Sequence, residues 1–581
     1  MDAPPAPPPT TVVPAPAESP RRGEAALAFV AALLLLLAFA GVRDLFDADE
    51  GRYGTVALDM VRSGDYVTPR EHGLRFMDKP PLVYWAAAGA YAVLGATPTA
   101  ARLPCIVAGA TVALFAFLFA AAWTGSRRAA WAAALVFATC GGGMGFSRTV
   151  TMDMPLTACV CGALWAGWRG VAGGGRRARV GLGVAVGLGL LAKGPLAAVV
   201  PGLVALAWVA VGASWRRVLS LVASPLAWAT ALAVAAPWYA LVERANPGYL
   251  RHFIEYEHFR RFREAGHRDF APVWLYAAVL PLFLAPWTSA LWRARLPRPV
   301  VEGVRRPVPA GRFAWAWALA LLVFYSAGRN RLFTYVLPAF PPLAVLVGAR
   351  VADVVADARA SRRLATAFAV LGALAALAGA AVASGVVFEA EWTLFGRRVL
   401  PLREARLQPL GLPVGLGGAA LLSAPVLVRV LTTPRARLVG LVLAAAAGWW
   451  GVDLGAARVE ALRSPRALAR TLAQAAGPED LVVCLDLLPQ GLRFSEPGLR
   501  VAVAGKQPEI VEPWASLDGD GRLFPEAALA GLWAADRRVV LVAREKKARP
   551  FVERGGRVLA RDLSGAQRAD LWVVENRPRA R

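Results

Sequence analysis

Long apolar runs alternate with short polar connectors from residue 25 to residue 452. The runs cover 25–42, 103–123, 129–146, 156–171, 180–192, 196–211, 219–242, 273–292, 313–326, 335–347, 364–387, 412–428 and 438–452. Read against the ~20 residues that a helix needs to cross a bilayer, they predict about thirteen transmembrane helices, the shorter of them supported by neighbours. Pro81–Leu94 is apolar but only about fourteen residues long, which suits an interfacial or re-entrant helix. The pattern changes after residue 454. Leu481–Val483, Val501–Val503, Val539–Val542 and Leu571–Val574 read as short buried strands and Arg466–Ala476 as a helix. At ~125 residues this tail is long enough for a small α/β domain with its own core. The expected organisation is a Pro-rich cytoplasmic tail over 1–22, disordered on its composition, then a membrane domain over 23–454 and a soluble domain over 455–581. A first outer loop, with interfacial helices, occupies 43–102.

Composition agrees with the pattern. Of the 581 residues 57% are hydrophobic and 18% charged, and the mean hydropathy is +0.47, which marks an integral membrane protein. The formal net charge of +25 invites a nucleic-acid reading, but the arginines cluster between apolar runs. Arg127-Arg128, Arg176-Arg177, Arg216-Arg217, Arg362-Arg363 and Arg435 all fall on one side if residue 21 is cytoplasmic. That is the positive-inside rule, and it excludes a nucleic-acid surface as the reason for the charge. The five cysteines form neither a disulfide framework nor a metal knuckle, and Cys159 and Cys161 read as buried thiols.

The opposite side receives a different mixture of acids, bases, histidine and aromatics. Asp49-Glu50 and Arg52-Tyr53 follow the first span directly. Carboxylates crowded at a membrane edge raise one another's pKa, and one of them can take a proton from a hydroxyl; the alternative is a solvated turn. Arg52–Met60 is expected to form a short helix on the membrane surface. In Asp78-Lys79-Pro80-Pro81 the prolines stiffen Lys79 for a phosphate, or the residues form a plain salt bridge. Asp153 is either a functional acid or an N-cap ahead of Pro155. Glu255–Phe262, with His267 beyond it, reads as a lid or as an interfacial helix holding lipid phosphates. Lys193 and Arg331 to Tyr335 place further cations at the same edge.

Taken together these residues resemble a known family. Asp47–Tyr53, Ser63–Pro69, Met77–Trp85 and Ala101–Pro104 are similar to the start of the lipid A aminoarabinose transferases and their relatives in glycosyltransferase family 39, which includes the protein O-mannosyltransferases. Arg148–Leu156, Leu190–Ala197, Glu255–Phe262 and Asn330–Ala344 match in the same order, and Pro489–Phe494 faintly. The resemblance implies an α-helical polytopic membrane protein of the GT-C fold with a small extracytoplasmic α/β domain at its C-terminus. It implies transfer of a sugar from an undecaprenyl phosphate to an acceptor outside the cytoplasm, best matched by 4-amino-4-deoxy-L-arabinose and lipid A. Another sugar and envelope acceptor, such as mannose on a protein or glycan, is the neighbouring reading.

By the same resemblance the catalytic acids are Asp49 and Asp153, with Glu50 beside them. The donor phosphate falls to Arg52, Lys79, Lys193, Arg261 and Arg331, and Tyr53, Tyr335 and Tyr84 line the substrate cavity. At most a divalent ion at Asp78 and His258 is implied as cofactor; Asp78 stands where relatives carry Glu. The expected partners are the donor lipid, the envelope acceptor and membrane lipids. The expected location is the bacterial inner membrane, with the site and the C-terminal domain periplasmic. A transporter or flippase requires charges at mid-span and an inverted repeat, whereas these charges sit at span ends. A non-catalytic scaffold predicts that the acids are dispensable.

Overall fold

The computed structural model describes residues 21, 23–260, 272–291, 294, 310–328, 331–384, 393–394, 397–398, 410–458, 464–477, 479–505, 523–565 and 568–577, with backbone only at 258–260, 393–394, 397–398, 562–565 and 568–570. The expected tail over 1–22 lies almost wholly outside these residues, as do Arg261, His267 and the side chain of His258.

The chain opens with an apolar helix, α1 (Glu24–Leu37), and a short connector to α2 (Asp49–Ser63). Acids in the first turn of α2 and Arg62 in its last complement the helix dipole, and Gly64 at φ 70° ends it. A tight hairpin follows, β1 (Arg70–Glu71) and β2 (Leu74–Arg75). Its turn residues His72 and Gly73 both have positive φ, 56° and 85°, as a two-residue hairpin loop requires.

Then come α3 (Leu82–Leu94), α4 (Pro98–Thr124), α5 (Arg127–Thr139), α6 (Gly141–Ser147), α7 (Asp153–Val171), α8 (Gly175–Lys193), α9 (Leu196–Ala210), α10 (Trp215–Val222) and α11 (Pro225–Ala245). Thr97 caps α4 by accepting from the Ala100 N–H, with Pro98 in the first turn. Helices Ala310–Ala327, Phe340–Ala356, Ala358–Ser384, Gly411–Leu422 and Pro434–Arg458 complete the bundle. Its core is Ala-, Val- and Phe-rich around α4, α5 and Phe340–Ala356. Small residues let backbones touch there: a Cβ on Gly348 would lie 2.4 Å from the Ala133 nitrogen. Membrane helices, which gain nothing by hiding apolar surface from lipid, associate in this way.

Among the described residues seven helices are long and apolar enough to cross a membrane, or eight if α5 and α6, bent by 56°, form one span. Four shorter apolar helices, α1, α3, α9 and Leu275–Leu284, fall below that length. The expectation of about thirteen crossings counted apolar runs, and several of these build helices too short to span alone. The chain is a multi-pass membrane protein.

The tail forms a six-stranded sheet from β5 (Leu481–Leu485), β6 (Val501–Ala504), β7 (Leu523–Phe524), β8 (Val539–Arg544), β9 (Arg557–Gly565) and β10 (Arg568–Glu575), the hairpin strands β3 (Thr393–Leu394) and β4 (Arg397–Arg398) lying apart from it. The order is β7-β6-β5-β8-β10-β9, with the first four parallel. Each expected strand lies in this sheet, and the expected helix is Arg466–Ala475. Both sheet faces are buried, which explains the unbroken apolar runs.

Candidate functional site

Every residue of α2 from Glu50 to Met60 is buried, so the helix is not the surface helix the sequence suggested. On one side it meets α3 and the β1–β2 hairpin. On the other it meets the loop that leaves β5. Asp47 accepts from the Gly491 N–H at 2.9 Å, Thr55 donates to the Gln490 carbonyl at 2.8 Å, and Arg493 pairs with Asp59 at 2.9 Å. Burial, eased by the Gly491 N–H, pushes the Asp47 carboxyl well above the usual range. His72 is wholly buried against the same loop, which drives its imidazole down to about 3. The two backbones cross at Gly51, where a Cβ would lie 2.9 Å from the Gly491 nitrogen. Gly51→Ala is therefore expected to cost about 1–3 kcal/mol, as overpacking does, and to speed proteolytic release of the C-terminal domain; release at the parental rate would show that the crossing is not a constraint.

Glu50 is buried and fully engaged by internal partners. Its Oε1 accepts from Arg102 Nε at 2.9 Å and the Val150 N–H at 3.2 Å. Its Oε2 accepts from Arg102 Nη2 at 3.1 Å, the Phe46 N–H at 3.2 Å and Arg43. Burial alone would raise the Glu50 pKa, but Arg102 and Arg43 outweigh it and hold the carboxyl at about 2. Arg102 also donates to the carbonyls of Ala40, Arg43 and Asp44 at 2.7–2.8 Å. Arg43 reaches the Arg148 carbonyl at 2.9 Å, and Arg148 pairs with Asp453 of the last span at 2.6 Å. This lattice fixes the end of α1, the start of α2 and the segment leading into Asp153 as one body.

Asp49 occupies the first turn of α2 and is half-buried. Asp153 opens α7, and Lys193 closes α8. The two side chains meet at 2.5 Å, and the Lys193 ammonium lies 4.6 Å from the centre of the Tyr335 ring. Tyr335 continues into Tyr325 (5.8 Å) and Tyr276 (6.4 Å further), two rings that the sequence reading did not single out.

Tyr53 connects the two acids. Its ring lies 5.9 Å from that of Tyr84. Burial, and then the nearby charges of Asp49, Asp78 and Asp153, push its hydroxyl well up against the opposing pull of Arg52. Asp78 and Asp153, distant in sequence, thus act on the same phenol as Asp49 and Arg52 of its own helix. Lys79 pairs with Glu257 at 2.9 Å, Arg52 with Glu71 at 3.5 Å, and Arg331 donates to the Ser326 carbonyl at 3.1 Å.

Among the described residues no three His, Cys, Asp or Glu side chains converge as a metal site. The Lys79 ammonium donates to the Asp78 backbone carbonyl at 3.0 Å, and the side chain of His258, the other half of the expected pair, lies outside the described residues.

The sequence reading missed Arg43, Arg102, Arg148 and Asp453 as a group. The available signal was a lone Arg102 inside an apolar helix and a lone Asp453 ending another, since isolated charges in such places require partners.

Comparison with known proteins bears on this geometry. Residues 78–240 match the family model described as dolichyl-phosphate-mannose-protein mannosyltransferase. An undecaprenyl phosphate-α-4-amino-4-deoxy-L-arabinose arabinosyl transferase of Pseudomonas aeruginosa is 34% identical over 56% of this chain and 59% of its own. One of Edwardsiella ictaluri is 31% identical over 52% of this chain and 55% of its own. The chain thus spans less than two thirds of the length of these relatives. The crystal structure of ArnT from Cupriavidus metallidurans bound to undecaprenyl phosphate superposes with a TM-score of 0.81 at 23% identity, covering 96% of this chain and 98% of that one. The chain has the GT-C fold, and its resemblance to glycosyltransferase family 39 holds in the family model and the relatives.

Proposed function

We propose that the chain is a glycosyltransferase that moves a sugar from a polyprenyl phosphate to an envelope acceptor, with 4-amino-4-deoxy-L-arabinose from undecaprenyl phosphate to lipid A as the specific reaction. The observation that carries this reading is the meeting of Asp49, Asp153 and Arg52 around Tyr53, with Lys193 closing on Asp153. It supplies what the chemistry requires. An acceptor oxygen attacks the anomeric carbon, the bond from that carbon to the phosphate oxygen breaks, and the polyprenyl phosphate leaves with the electron pair. A hydroxyl acceptor gives its proton to a carboxylate, for which Asp49 is the better exposed. Asp153 positions Lys193, and Lys193, Arg52 and Lys79 neutralise the departing phosphate. Arg331 lies at the same edge, and Arg261 is assigned there by resemblance alone. Tyr53, Tyr84 and Tyr335 wall the sugar. Glu50 is assigned to the scaffold, because its lone pairs are taken by arginines and backbone N–H groups.

The site end is proposed to face the periplasm. The antiparallel pair α7 and α8 puts Asp153 and Lys193 at one end and Arg176, Arg177 and Arg179 at the other, and the basic end belongs in the cytoplasm. The C-terminal sheet, joined to α2 through residues 489–494, lies with the site and is proposed as the separate soluble domain.

Mass spectrometry of lipid A from cells with and without the gene tests the reaction. The expected result is an aminoarabinose-sized gain that depends on the protein. Unchanged lipid A with a protein-dependent hexose on a protein or glycan would transfer the reading to the mannosyl branch named by the family model. No difference in any envelope glycoconjugate would overturn the enzyme reading.

A further inference from the structure

We propose that Glu71 is the resident counter-ion of Arg52, a carboxylate that competes with the donor's phosphate for the guanidinium and so sets how tightly that phosphate is held. The inference rests on the reading of Arg52 as a phosphate ligand.

Glu71 is built into place. The β1–β2 turn next to it is held by the Gly73 N–H, which donates to Asp59 Oδ2 at 2.9 Å, and by His72, buried under the loop after β5. Arg52 is buried too, its guanidinium 5.4 Å from the centre of the Phe76 ring. The ion pair between them is long. Arg52 Nε and Glu71 Oε2 are 3.5 Å apart, where a charge-assisted hydrogen bond closes to about 2.7–2.9 Å. The second oxygen, Oε1, is buried and makes no hydrogen bond among the described residues. A buried carboxylate left half satisfied is a poor structural device, and Glu50, two residues before Arg52, shows what a saturated one looks like in this chain.

The charges around Glu71 favour release. Arg52 faces it from α2, and Asp47 and Asp59 add negative charge from the start and end of the same helix. Asp78 adds more from the segment after the hairpin. Tyr84 of α3 and His72 of the hairpin are neutral neighbours, and Arg493 acts on His72 and Asp59 from the C-terminal loop. Burial first, then Asp78 and Asp59 against the pull of Arg52, bring the Glu71 carboxyl up to about 7. A phosphate drawn to Arg52 adds another negative charge, and Glu71 yields by taking up a proton. Phosphate binding is then linked to protonation: it weakens as pH rises through the Glu71 range.

The test is the affinity of the purified full-length protein for undecaprenyl phosphate between pH 6 and 8.5, for the parent chain, Glu71→Gln and Arg52→Gln. A polyprenyl phosphate gains charge itself near pH 6, so the ratio of variant to parent affinity is the readout. For Glu71→Gln it is expected to be near one at pH 6 and about tenfold by pH 8, with KM for the donor falling in step. A ratio that stays constant across this range, while Arg52→Gln loses affinity, overturns the proposal. If Arg52→Gln binds as the parent does, the reading of Arg52 itself fails. Should Glu71→Gln not fold, the parent decides against Arg52→Gln as baseline: a ratio of these two affinities that does not change with pH overturns the proposal.

Discussion

A Glu50→Ala chain is expected to unfold under conditions in which the parent chain is intact, with a loss of about 3–5 kcal/mol. The substitution leaves Arg43 and Arg102 buried without their shared carboxylate, and removing one partner of a buried ion pair costs far more than the intact pair contributes. The arginines' pull on the Glu50 carboxyl points to a similar size. A carboxyl held at about 2 against an ordinary 4.5 corresponds to about 3 kcal/mol. Because the folded value is the lower one, this contribution is fully present above pH 4.5 and is lost as pH falls through 2. Thermal unfolding in detergent, followed by tryptophan fluorescence, is the measurement. Asp49→Asn, one residue away, should leave the transition where it was and abolish transfer. Equal stability of Glu50→Ala and the parent would show that the lattice does not carry the fold; full transfer activity in Asp49→Asn would remove Asp49 from the chemistry.

The contrast between these neighbours shows what was legible in the chain. Hydrophobic periodicity located the bundle and four of the six strands of the C-terminal sheet, because burial on both faces writes itself into unbroken apolar runs such as Val539–Val542, whereas β7 and β9 carry no such run. The motif residues Asp49, Arg52, Tyr53, Asp153 and Lys193 were likewise visible as polar groups at span ends. The division of labour inside a motif was not. Asp49 and Glu50 are adjacent letters, but successive helix residues point ~100° apart, so Asp49 stays partly exposed while Glu50 is buried. What turns Glu50 inward is Arg102, 52 residues on, and the Val150 N–H, 100 residues on. The loop 489–494 is a similar case. Its faint family match says nothing of its place, yet it covers the helix that carries Asp49, Arg52 and Tyr53, because the sheet delivers it there from the exit of β5.

The second large effect concerns Asp153 and Lys193. On the proposed mechanism, Lys193→Met removes a cation from the leaving phosphate and should lower kcat about 10²–10³-fold. Asp153→Asn should cost at least as much, within the 10²–10⁴ range of groups that act in the proton or charge balance of the reaction. Independent roles would multiply, and the double variant would be slower than either by the product of the two factors. The geometry argues against that. The two side chains meet at 2.5 Å, and the ammonium sits over Tyr335, so Asp153 determines where the Lys193 charge stands. Removing either one leaves the other as a largely buried unpaired charge in the wrong place. The double variant is therefore expected within about tenfold of the slower single variant, the non-additivity of residues that work as a unit. It should also recover stability lost in Lys193→Met, since no lone carboxylate remains at the start of α7. Single-turnover rates with a saturating donor separate this from a binding defect. A double variant slowed by the full product would mean that Asp153 and Lys193 act on different atoms of the reaction, and would shift Asp153 from positioning Lys193 to touching the acceptor.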